Sequence, residues 1–121
     1  MGGRHRAMAT TRECEGALRA LAARLDEAAR SHPEARPPDR TVQCTIPDLS
    51  TAFTGVLRGG ALHDIAEREP TGSRAEVMFT IASDDLIALV DGRLGFATAW
   101  TTGRLKINAS IRDLLRVRSL L

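Results

Sequence analysis

His63, Asp64, Cys44, Glu67 and Glu69 are the residues of this 121-residue chain whose side chains could serve as nucleophile, base or acid. A histidine beside an aspartate suggests a hydrolytic relay, but such a relay needs a separate nucleophile and a third group to orient the imidazole. His63 and Asp64 are neighbours in a stretch of strand-like spacing, where successive side chains point to opposite faces. No spacing among the five corresponds to a reaction, so no catalytic residue and no enzyme activity is expected. Metal ligation fares no better. Beyond the N-terminal tail the histidines are His32 and His63, and neither has a second His or Cys at ligand spacing. Cys14 and Cys44 lie thirty positions apart without a second pair, which predicts two buried, reduced thiols and neither metal nor cofactor.

The totals exclude further classes. A chain of this length fits one domain with one core. Its 43% hydrophobic and 26% charged content is that of an ordinary soluble protein, and no apolar run approaches the roughly 20 residues of a membrane span. The formal charge of +2 comes from scattered Arg and is too small for a nucleic-acid footprint. Four aromatics and no Tyr leave few platforms for stacking bases. The opening MGGRHRAM has basic residues but no apolar core behind them, which argues against a secretory signal and for a cytoplasmic location.

Residues 1–9 read as a disordered tail and 10–121 as a single domain. Thr10 and Glu13 fit a capping box for a helix over 10–30, with Cys14, Ala17, Leu18, Leu21, Leu25, Ala28 and Ala29 on one face. Its opposite face, including Arg24, reads as solvated. Pro33, Pro37 and Pro38 make 31–39 a linker. From Thr41 the period falls to two, predicting strands over 41–46, 50–57 and 60–66, the last two joined by a tight turn at Arg58-Gly59. The loop 67–73 is long enough to cross one end of a sheet, and a fourth strand follows over 74–82. Ser83 suits an N-cap, Gly92 a C-terminal stop, and Leu94–Thr102 a second short helix before Gly103. Leu105 and Ile107 mark a fifth strand, and Ser110 with Asp113 caps a closing amphipathic helix. The sum is an α+β, two-layer domain: α, three β, a crossover, β, two α, β, α, with helices on one face of a five-stranded sheet.

That order, with SDDLIALVDG at 83–92, RLGFATAWTTGRLKI at 93–107 and IRDLLRVRSLL at 111–121, resembles the sterol carrier protein type 2 family. The likeness runs from Thr41 onward and is strongest at TTGRLKI. Gly95-Phe96 and Asn108-Ala109 stand where many relatives have an acidic-Pro pair and a Gly with an acidic residue. The resemblance implies a lipid-transfer fold that binds a fatty acid, a fatty-acyl thioester or a sterol-like molecule in an apolar tunnel between sheet and helices. The lining it implies is Phe79, Ile81, Leu86, Ile87, Val90, Phe96, Trp100, Ile107, Leu114 and Leu115. Each is also what a plain core would use, with Phe96 and Trp100 the better candidates for a cavity rim. The competing expectation is a partner-binding module with its tunnel collapsed, a homodimer joined through the Ala-rich face of the N-terminal helix.

Overall fold

The computed structural model describes residues 9–35, 38–70, 75–110 and 112–114. Its first element, α1 (Thr11–Ser31), begins with the expected capping box. Thr10 Oγ1 accepts from the Glu13 amide, and Glu13 Oε1 accepts from the Thr10 amide at 2.8 Å. Residue 9, assigned to the tail by sequence, is instead buried, and its amide donates to Ser83 Oγ.

The sheet contains β1 (Arg40–Ile46), β2 (Thr51–Arg58), β3 (Ala61–Arg68), β4 (Val77–Ile81) and β5 (Leu105–Asn108). The three-stranded meander forms as expected, but its tight turn is Gly59-Gly60, both at positive φ, rather than Arg58-Gly59. Two glycines suit that turn because each lacks the Cβ that a left-handed backbone would crowd. The order is β3-β2-β1-β4-β5, with β1 parallel to β4 and the remaining pairs antiparallel. The crossover therefore delivers β4 to the inner edge of the meander.

Register sorts the side chains between the two faces. Cys44 stands opposite Phe53 on β2 and beside Phe79 on β4, and Phe79 stands opposite Ile107 on β5. Side chains directly across a ladder share a face, so these apolar residues, with Ile46 and Ile81, form the helix-covered side. On the reverse side Gln43 is also buried, its amide donating to Thr45 Oγ1 at 3.0 Å. A register shift between Thr54 and Val56, with Asp64 at φ 58°, bends the outer hairpin. Gly55 lies at this bulge, where a Cβ would meet Leu62 Cδ1 at 3.0 Å and the His63 carbonyl at 3.2 Å.

α1 packs on β3 and on α2 (Ser83–Asp91), while α3 (Phe96–Thr101) lies on β5. The core between the layers comprises Cys14 and Leu18 of α1, Cys44, Ile46, Phe53, Ile81 and Leu105 of the sheet, and Leu86, Val90 and Ala99 of the short helices. The N-terminal half of the apolar face of α1, Cys14, Ala17, Leu18 and Leu21, is thus used within its own chain. Residues 112–114 are helical at the expected start of the closing helix, where the Asp113 amide donates to Ser110 Oγ; Ile111 and residues 115–121 lie outside the described residues.

Candidate functional site

Of the ten residues expected to line a ligand space, Leu115 lies outside the described residues and the other nine divide by burial. Ile81, Leu86 and Val90 are 2–5% exposed and belong to the core proper. Phe79, Ile87, Phe96 and Ile107 are half-buried, each packed against that core. Phe79 and Ile107 are register partners on neighbouring strands, and Ile87 and Phe96 come from the two short helices on the same side of the sheet. Trp100 is half-buried, its ring centroid 6.2 Å from that of Phe96 and tilted by 59°. Leu114 is half-buried at the start of the closing helix.

Polar contacts fix the helices that carry this set. Ser83 was expected as the N-cap of α2, but Ala82 occupies that position and Ser83 is fully buried. The cap comes from another element. Asp48, in the turn after β1, accepts from the Ser83 amide at 2.9 Å and from its hydroxyl at 2.6 Å, while the hydroxyl accepts from the Ala9 amide. A carboxylate at this end also complements the helix dipole. At the far end Gly92, at φ 85°, closes α2, and the Arg93 and Leu94 amides donate to the Ala88 carbonyl. Arg24 of α1, rather than being merely solvated, donates to the Val90 carbonyl at 2.7 Å. It thereby satisfies one of the carbonyls that a helix end leaves open.

Arg40 and Asp113 tie the closing helix to β1. The guanidinium donates through Nε at 2.9 Å and Nη2 at 3.3 Å, and the carboxylate side chain is only 8% exposed. The two cysteines, Cys14 of α1 and Cys44 of β1, are free and buried. Burial, then the Asp48 carboxylate, pushes the Cys14 thiol up to about 11. Burial also pushes the Cys44 thiol up to about 12, with Cys14 adding to the effect. Both are poor nucleophiles at neutral pH because the thiolate is the reactive form.

Among the hollows that the described residues line are two on the surface. One of about 490 Å³ runs along the C-terminal half of α1 between Ala23 and His32. The other, of about 370 Å³, lies over the sheet around Thr41, Gln43, Thr54 and Arg68. Neither is lined by any of the ten expected residues. His63 and Asp64 are both exposed, with Asp64 at the bulge and 3.9 Å from Arg58.

The model of the SCP-2 sterol transfer family matches residues 13–121. The chain belongs to the SCP-2 sterol transfer family. Among curated proteins no sequence matches. Solved structures share the fold of this family member. A sterol carrier protein 2 superposes with a TM-score of 0.61 at 16% identity, covering 84% of this chain and 83% of that one. Sterol carrier protein 2 of Aedes aegypti, in complex with the C16 fatty acid palmitate, gives 0.57 at 14%, covering 93% and 96%. A sec-alkylsulfatase from Pseudomonas sp. gives 0.51 at 24%, over 72% of this chain but only 13% of its own. The chain thus matches a small part of the sulfatase and nearly the whole of the carrier. Within the SCP-2 fold, the half-buried residues Phe79, Ile87, Phe96 and Ile107 stand where sheet meets helices. The Asp48–Ser83 and Arg40–Asp113 contacts that steady them join residues 35 and 73 positions apart, beyond any local sequence signal.

Proposed function

We propose that this protein binds and carries a long-chain, lipid-like molecule, a fatty acid or fatty-acyl thioester, between its sheet and its helices, with no reaction of its own. The observation that carries this reading is the apolar set of Phe79, Ile87, Phe96 and Ile107, half-buried on the helix-covered face of an SCP-2 fold. Trp100, against Phe96, extends the set, and Ile81, Leu86 and Val90 belong to the core on which it packs. Two neighbours support the ligand class: one is in complex with palmitate, and the other is named for alkyl substrates.

The energetics favour loose specificity. Burying an acyl chain of about sixteen carbons at roughly 0.8 kcal/mol per methylene contributes about 12 kcal/mol. Association costs about 4–15 kcal/mol against it, so affinity is modest and depends on chain length. Apolar walls measure length and say little about the head group.

The test is a calorimetric titration with saturated fatty acids of increasing length, alongside mass spectrometry of lipid extracted from the purified protein. Binding should tighten by roughly tenfold per two added carbons until the space is full. No binding at any length, with no lipid in the extract, would overturn the reading.

A further inference from the structure

The sheet ends in two edge strands, β3 and β5, and they are built differently. β3 carries a bulge, with Asp64 at φ 58°, exposes His63, Asp64, Glu67 and Arg68, and lies against α1. A bulge and a row of charges keep an edge from pairing with another chain. β5 has no such protection. It is a regular four-residue ladder against β4, and Lys106 is its one charge. Beyond Asn108 the chain heads inward, because Asp113 is tied to Arg40 on the central strand β1. Up to residue 114 it therefore turns away from the outer edge of β5.

An unprotected edge presents unpaired backbone N–H and C=O groups to any strand of suitable sequence. The sequence of β5 suits a copy of itself. In an antiparallel pair with a two-fold axis through Ile107, that residue stands opposite its own copy and Lys106 stands opposite Asn108 at both symmetric positions. Side chains directly across a ladder share a face, so the two Ile107 side chains meet on the side where Ile107 already stands beside Phe79. Lys106 and Asn108 meet on the reverse side, and no like charges face each other. An axis through Lys106 would set lysine against lysine, which disfavours that register. Each α3 joins its strand near Leu105, and in the Ile107 register those joins lie about 13 Å apart along the strands. That exceeds the spacing of about 8–10 Å between packed helices.

We propose that β5 pairs with β5 of a second copy of this chain, antiparallel and centred on Ile107, so that two five-stranded sheets become one continuous sheet. The apolar row of Phe79 and Ile107 then runs on into the second copy. The pairing does not depend on that row holding a lipid, and either can fail without the other. Four residues a side make a short ladder, so the dimer is weak and its population depends on concentration.

Sedimentation equilibrium over a wide range of protein concentration tests this, together with amide exchange in residues 105–108. The wild type should dimerise as concentration rises, and exchange in β5 should slow in step. Lys106 and Asn108 are exposed, so substitutions there should leave the unfolding midpoint of the dilute protein unchanged. N108K sets like charges across the ladder at both symmetric positions and should weaken the dimer at least about threefold. N108E sets opposite charges there and should tighten it, and K106E/N108K, with the signs exchanged, should recover what N108K loses. A28E brings the same change of charge as N108E but on the exposed side of α1, and should dimerise as the wild type does. A monomer at every concentration, a dimer equally strong in N108K and N108E, or a dimer altered by A28E and not by N108K would each overturn the proposal.

Discussion

Ser83 shows how much one hydroxyl can hold. It is buried, donates to Asp48 and accepts from Ala9, so it joins the start of α1, the turn after β1 and the start of α2. Ser83→Ala leaves the Ala9 amide without its acceptor and should lower stability by about 1–3 kcal/mol in urea unfolding. Asp48→Ala should cost at least as much, and the double variant less than the two together, because both remove one network. The residue type was legible in the sequence, but its role was not. Ser before an amphipathic run signals a cap, and nothing local announces that an aspartate 35 residues away takes that place. The cysteines were read correctly as buried thiols, and their environment adds a pH dependence. Each thiol ordinarily ionises near 9.0 but is held to about 11 or 12 in the folded chain. The unfolded chain therefore loses protons first as pH rises, and stability present below pH 9 falls across the window from 9 to about 11 or 12. With no Tyr and a single Lys, little else titrates there. The unfolding midpoint should drop by several degrees over that range, and Cys44→Ala should flatten the slope.

At the scale of elements, periodicity found the five strands and the α-helices that the structure describes and misplaced mainly their ends, while the short 3-10 turns Pro33–Ala35 and Pro47–Leu49 were read as linker and turn. The short helix α3 begins at Phe96 rather than Leu94, because Leu94 is taken up by the turn after Gly92 and is buried in the core. The meander turn slipped by one residue since either glycine pairing suits a hairpin, and only the register decides between them. Gly55 was passed over as an ordinary strand residue, yet it faces Leu62 and the His63 carbonyl at the bulge. Gly55→Ala must displace backbone as well as a side chain, and should cost about 1–3 kcal/mol. The closing helix depends on a longer link. Asp113→Ala leaves Arg40 without its bidentate partner and should lower the unfolding midpoint. Hydrogen exchange should quicken in residues 112–114 before it quickens in β1. Equal protection of both segments in wild type and variant would show that the ion pair does not hold the helix.

For the whole molecule, the account rests on an apolar face that the fold leaves half-buried. The sequence named that face and its residues through a family resemblance, whereas burial alone separates the core members, Ile81, Leu86 and Val90, from the open set, Phe79, Ile87, Phe96 and Ile107. Apolar residues at strand and helix spacing look alike whether they end in a core or beside a ligand, so periodicity could not make that division. The surface hollows along α1 and on the reverse of the sheet offer two alternative places to compare. One titration decides between them: nuclear magnetic resonance spectra of the isotopically labelled protein with increasing palmitate. The account predicts saturable shifts concentrated on Phe79, Ile87, Phe96 and Ile107, with little change at Ala23, Glu27, Thr41 and Thr54. Shifts confined to those last four residues, or none at all, would contradict it.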